Sequence, residues 1–395
     1  MQGLSLSLTR KHAEPAPRIM RLHGSIPFTL NKGLLTISET TLQDDGGLVL
    51  ILAASPLLGE RDNGVTRAYL SVPWTEVSTL RSTLAALTGS RPDATHLTGQ
   101  FRTDLELIGE NYHGALTLRN VGIGSNFFRV DGATGVIPLH GGIGQGSTAS
   151  ADRASPSERI GRRHLSEEEY RATVERLSTM PAKASASLTI SSLRYDPIEL
   201  RNIEVALASS SNQIAVQRFA FEAWGGRWSG WGTVEPLGEG IALSLLTEGL
   251  SLRAICDAFP PITGYINGRI NGMADLRVPR FALDQAQGNA RFWAVDSPQE
   301  GRKISRVLIE QLAGQRIRYF SLFGADRRYD RGVLEVALKA GDLSFHELAI
   351  SHTTLGLKDL DVRVSPTFNK IGLAHLLESI SEAIERIRAS AKSNH

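Results

Sequence analysis

The residues that could do chemistry are few and far apart. Gly141-Gly142-Ile143-Gly144-Gln145-Gly146-Ser147 comes nearest to a nucleotide fingerprint. A dinucleotide loop needs G-x-G-x-x-G between a strand and an immediate helix start, so that phosphate meets the helix N-terminus. Here about twenty residues intervene before the next helix signal at Ser166, and the stretch fails as a phosphate cradle. His346-Glu347 and His352 flank Leu348 to Ile350; a shared metal site is the sharper reading and a solvated strand edge the simpler one. Asp359 and Asp361 have the spacing of paired carboxylates on one strand face, yet they alternate with Leu360 and Val362, as the polar outer face of a sheet does. Trp224, Trp228 and Trp231, with Phe219 and Phe221, could stack sugars if exposed and coplanar, and otherwise fill a core. Cys256 has no histidine partner and reads as a small buried hydrophobe. There is no G-x-S-x-G elbow, Walker loop or H-E-x-x-H. The expectation is a non-enzyme without catalytic residues, metal or cofactor.

The elements that would position these residues are read from alternation. From Tyr265 to Val278, Ile266, Gly268, Ile270, Gly272, Ala274, Leu276 and Val278 point one way, and Tyr265, Asn267, Arg269, Asn271, Asp275 and Arg277 the other. One face is apolar and small; the other is wet. The same period recurs at Leu97 to Leu107, Ala186 to Ile190, Ile203 to Leu207, Ile241 to Leu245, Leu334 to Leu338 and Leu360 to Val364. A single apolar face predicts antiparallel strands, because parallel strands covered on both sides read as continuous apolar runs. Glycine turns such as Asp44 to Gly47, Trp224 to Arg227 and Ala340 to Asp342 separate many of them. Helices are expected from Pro73 to about Leu87, from the capping box at Ser166 to about Thr179, and from Lys303 to about Leu312. Near the end, Leu373, Leu376, Leu377, Ile380, Ile384 and Ile387 form the stripe of an amphipathic helix.

Composition narrows the class. Among 395 residues, 43 Lys and Arg nearly balance 41 Asp and Glu, so the net charge of +2 gives no broad attraction to nucleic acid or anionic membrane. A single cysteine excludes an intramolecular disulfide. No run approaches the roughly 18 apolar residues of a membrane span. Arg10, Lys11, Glu14 and Arg18 stand where a signal peptide would be apolar, so the chain as written is expected neither to insert nor to export itself. The 38 glycines exceed the usual share of about 7% and imply many turns or close backbone approaches. The expected organisation is a β-rich segment over 1–140, a flexible Gly/Ser-rich loop and short helix over 141–184, a β-groove segment over 185–370, and the amphipathic helix and tail over 371–395.

So many one-faced strands with so few helices must close on one another as a sandwich or barrel, or line a groove. The small residues Gly268, Gly272 and Ala274 favour a groove for an elongated apolar ligand, while a filled sandwich stays open.

Specific stretches carry a resemblance. Leu193-Arg194-Tyr195-Asp196-Pro197-Ile198-Glu199-Leu200-Arg201-Asn202-Ile203, then Val216 to Phe221, then Ala223-Trp224-Gly225-Gly226-Arg227-Trp228-Ser229-Gly230-Trp231-Gly232 resembles a repeated phrase of the AsmA-like proteins. Leu245 to Leu252, a short helix to Phe259, and Gly264 to Gly272 look like its continuation near the C-terminal end of those proteins. Arg331 to Leu334, Ala349 to Leu360 and Asp361 to Val364 look like their closing strands. The resemblance covers about Ser185 to Val364 and does not choose among the AsmA, TamB and YdbH branches.

What the resemblance implies is a mainly β fold: a long, twisted, antiparallel sheet forming an open, taco-like groove, with a few short helices. It implies non-enzymatic transfer or bridging of phospholipid across the Gram-negative envelope, in the periplasm. Acyl chains would lie on Ile266, Ile270, Leu276, Val278, Leu334, Val336, Leu338, Leu360, Val362 and Val364, whose plain role is core. The C-terminal helix would cap the groove or touch an outer-membrane or periplasmic protein partner. Family members carry an N-terminal membrane anchor, so here an anchor is expected on an upstream segment. A non-transporting envelope-assembly scaffold and a carbohydrate-binding β-protein are the alternatives.

Overall fold

The computed structural model describes residues 5–6, 20–31, 34–44, 46–55, 67–81, 96–125, 128–142, 167–179, 186–195, 197–210, 213–235, 240–259, 262–280, 282–313, 326–364 and 370–372. The chain is mainly β, an antiparallel sheet that is long and not closed into a barrel, with three short helices among the described residues. Two compact units divide it, one of residues 1–149 with 182–219, the other of 150–181 with 220–395.

The first unit is a meander. Its strands are β1 (Ser5–Leu6), β2 (Met20–His23), β3 (Phe28–Asn31), β4 (Leu34–Asp44), β5 (Val49–Ser55), β6 (Arg67–Glu76), β7 (His96–Ile108), β8 (Asn111–Gly124), β9 (Phe128–Gly142), β10 (Ala186–Tyr195) and β11 (Ile198–Ser210), and it shares β12 (Gln213–Ala223) with the second unit. Consecutive strands from β3 to β11 pair antiparallel. The Asp44 carboxylate accepts from the backbone N–H of Gly46 at 2.8 Å and of Leu48 at 2.7 Å, the turn chemistry its position before glycine implies. Leu48, Val72, Val77, Leu97, Phe101, Val121 and Ala133 form the buried cluster.

One expectation is corrected here. Pro73 does not open a helix: it lies inside β6, where it donates nothing, and helical backbone begins only at Val77. The strands after Ala186 begin in the first unit, where β10 pairs with β9. The loop after Gly142 and the helix from Leu373 lie outside the described residues.

The second unit carries β13 (Gly226–Glu235), β14 (Gly240–Ser251), β15 (Ile266–Asn267), β16 (Arg269–Pro279), β17 (Gln287–Val295), β18 (Lys303–Ile304), β19 (Arg327–Arg328), β20 (Arg331–Lys339), β21 (Asp342–Thr354), β22 (Leu357–Val364) and β23 (Lys370–Gly372). Its helices are α1 (Glu167–Thr179), α2 (Leu252–Ala258) and α3 (Arg306–Ala313). The order β13, β14, β16, β17, β20, β21, β22 is antiparallel throughout, while β15, β18 and β19 form a separate small sheet. Ser251 caps α2 by accepting from the Ala254 N–H at 3.0 Å, and Ser305 caps α3 by accepting from Leu308 at 3.2 Å.

The run from Tyr265 to Val278 is therefore two strands rather than one. Gly268 sits at φ +130, and a Cβ there would fall 2.5 Å from the Tyr329 hydroxyl. The chain breaks at this point, and Ile266 joins the small sheet while Ile270 stays in the large one.

Candidate functional site

Residues directly opposite in a ladder share a face. In the second unit this builds two apolar rows across five strands. One is Leu245, Ala274, Ala290, Val336 and Phe345; the next is Leu243, Leu276, Gly288, Leu338 and Leu343. All ten are half-buried, neither sealed nor free. A third row, Thr247, Gly272, Phe292, Leu334, Leu348 and Val364, continues the same face.

Beyond that row the face is closed. Ile304 and Tyr329, 0% and 2% exposed, pack with Ile350, Leu360 and Val362, and Ile266, Leu308 and Ile309 join them. The small sheet and α3 supply this plug, and the Tyr329 hydroxyl fastens it by donating to the Asn267 carbonyl at 2.8 Å. Cys256 on α2 is buried, and its burial pushes the thiol pKa up, which suits packing and not nucleophilic work.

The expected groove residues thus separate. Ile270, Leu276, Val278, Leu334, Val336, Leu338 and Val364 stand on the apolar face by register, although Val278 is itself buried at its far end. Ile266, Leu360 and Val362 belong to the plug. Phe292 fills the space above Gly272, so only Ala274, facing Ala290, leaves the floor low in the way the small residues suggested.

The opposite face is not simply wet. Met273 and Leu246 point there, and Tyr170 and Leu177 of α1 bury them together with Trp231 and Trp293. A bulge between Thr247 and Leu250 interrupts the ladder, and the Tyr170 hydroxyl donates to the Thr247 carbonyl beside it. Burial raises the Tyr170 phenol pKa, with the Glu248 charge adding to it. Asp275 accepts from Ser244 at 2.6 Å, and Arg291 reaches Glu335 at 3.3 Å. Simple alternation had no means of showing a helix sent to cover this side.

The chemistry-bearing pairs do not assemble. His352 Nδ1 meets Asp359 at 2.6 Å and its Nε2 lies 3.7 Å from Asp330, whereas Asp361 accepts from Arg363 at 3.2 Å. The two carboxylates serve separate surface pairs, and His346 is exposed at a bulge in β21. Among the described residues no group of three or more His, Cys, Asp and Glu could hold a metal ion. The tryptophans split as well: Trp228 stacks on Phe221 at 5.7 Å and meets Trp224 at 60°, while Trp231 faces α1 on the other side. Three coplanar exposed rings are not formed.

The first unit holds an apolar row that sequence reasoning did not assign. Leu52, Leu70, Leu105, Gly114 and Leu139 are opposite one another across β5 to β9, each half-buried. The signal was present in the alternation of Leu97 to Leu107, but which strands flank it is set by pairing.

Among the described residues no helix is long and apolar enough to cross a membrane. No family model, curated protein or solved structure matches the chain.

Proposed function

We propose that this chain binds phospholipid acyl chains along the apolar face of its second unit and passes or bridges them within the Gram-negative envelope, without catalysis. The observation that carries the reading is the pair of five-residue rows, apolar from β14 to β21 and half-buried throughout. A filled sandwich would seal such rows, since core positions are packed on both sides. Each CH₂ kept from water gains about 0.8 kcal/mol, so a long chain laid on the rows is held strongly while its head group stays in water. Stepping along uniform apolar surface changes little buried area, which allows movement without turnover. The likeness to AsmA-like proteins supplies the envelope, the periplasmic setting and an upstream anchor as parts of the same proposal.

The test is lipid extraction and mass analysis of the chain purified gently after directed export to the periplasm of a Gram-negative host. Val336→Asp places a charge in the first row, and Ala290→Phe fills its floor without one. Phospholipid carried by the parent and lost from both folded variants is the expected result. A folded parent free of lipid overturns the reading in favour of a non-transporting scaffold.

A further inference from the structure

Among the described residues of the second unit, the four most exposed large apolar side chains all lie on elements that build or border the plug: Leu355 at 98%, Leu357 at 76%, Val307 at 51% and Ile262 at 36%. Leu355 and Gly356 form the tip of the β21–β22 hairpin, with φ of +50 and +82. Such a turn favours Asn-Gly, because the first residue must take a left-handed backbone that Asn tolerates and Leu does not. The same backbone closes two other hairpins, Trp224-Gly225 and Ala340-Gly341. There the first side chain is a ring packed on Trp228 or a single methyl. Only at Leu355 does a large apolar group stand in water on an unfavourable backbone, against both local preference and solvation.

Charge at this end gives the partner its chemistry. Lys303 and Arg328 stand directly opposite each other on β18 and β19, beside Ile304, which turns inward. Both cations are exposed, and among the described residues neither has an ion-pair partner. Like charges directly opposite destabilise a ladder, so the pair is held against repulsion unless an anion lies over it. The chain's near-neutral net charge supplies no general attraction. The carboxylates of this end are engaged: Asp330 by the Thr353 N–H, Asp359 by His352, Asp361 by Arg363 and Lys358, and Asp296 by Arg302. That leaves Lys303 and Arg328 to meet an anion.

We propose that the plugged end docks on an anionic phospholipid bilayer, with Leu355 and Leu357 entering the acyl boundary and Lys303 and Arg328 meeting head-group phosphates. Apolar insertion combined with basic side chains is the physical signature of interfacial binding. The docking does not rest on the apolar rows carrying cargo.

The test is co-sedimentation of the full chain with vesicles of phosphatidylglycerol and phosphatidylcholine, and with phosphatidylcholine alone. Leu355→Asn with Leu357→Thr suits the turn and the strand, so folding is kept or improved. It is expected to weaken partitioning roughly tenfold per leucine. Lys303→Gln with Arg328→Gln is expected to lose about fivefold per cation on anionic vesicles and little on neutral ones. Val336→Asp is expected to bind vesicles like the parent, which separates this proposal from lipid carriage. A parent that prefers neither vesicle, or a folded Leu355→Asn/Leu357→Thr variant that binds equally well, overturns it. Self-association that disappears in that variant, without vesicle binding, also overturns it in favour of a second copy of the chain.

Discussion

The ring of Phe292 on β17 lies over Gly272 on β16: a Cβ at position 272 would meet Phe292 Cδ1 at 2.2 Å. The neighbouring pair, Ala274 and Ala290, sets two methyl groups opposite each other on the same face, both half-buried. Gly272 thus makes room for a ring, while Ala274 and Ala290 put only methyl groups on the face, although the two positions read alike in the sequence.

Gly272→Ala is therefore expected to destabilise the fold by about 1–3 kcal/mol, the usual effect of overpacking. The midpoint of urea unfolding measures it. An unchanged midpoint would mean the ring does not rest there.

The plug and the apolar rows should respond differently to truncation. Ile304→Ala, at a fully buried position, is expected to cost about 2–5 kcal/mol, and Val336→Ala, at a half-buried one, about 1 kcal/mol or less. Equal losses in denaturant unfolding would make the rows ordinary core.

Removing the Tyr170 hydroxyl leaves the Thr247 carbonyl at the bulge without that donor. Tyr170→Phe is expected to cost about 1–2 kcal/mol by the same unfolding measurement, and Tyr170→Ala about 3–5 kcal/mol, because the ring also packs on Trp293 at 4.9 Å. If Tyr170→Ala unfolds at the parent midpoint, α1 does not cover this face.

Burial raises the Asp275 carboxyl above its ordinary 3.8, and the hydrogen bond from Ser244 opposes only part of the rise. The folded chain therefore binds this proton more tightly than the unfolded one. Its contribution to stability is full below the ordinary carboxylate value and is lost as pH rises through the raised one. Asp275→Asn is expected to raise Tm at pH 7, with the gain closing as pH falls toward 3.8. A gain that grows on acidification would contradict the assignment.

Much of this was legible in advance. Period two located the strands bearing Leu97 to Leu107, Ile241 to Leu245 and Leu334 to Leu338, and the capping signal located α1. It did not show what each face meets. Ile266 left the large sheet because the backbone at Gly268 takes a conformation the alternation does not encode. Leu360 and Val362 have the same pattern as Val336 and Leu338, yet the plug covers them because β18, β19 and α3 return to that end. Met273 and Leu246 were assigned no partner, since a helix some seventy residues or more upstream buries them. Pairing between distant segments decides these outcomes, and local period carries no record of it.

The central claim is that lipid lies on one face of the second unit, and face-selective photocrosslinking tests it most directly. A photoreactive amino acid would be placed in turn at Leu276, Arg277, Val336 and Ala337, adjacent pairs whose members point to opposite sides. Phospholipid adducts at Leu276 and Val336 and none at Arg277 or Ala337 is the predicted result. Adducts at neither member of each pair, or equally at both, would contradict it.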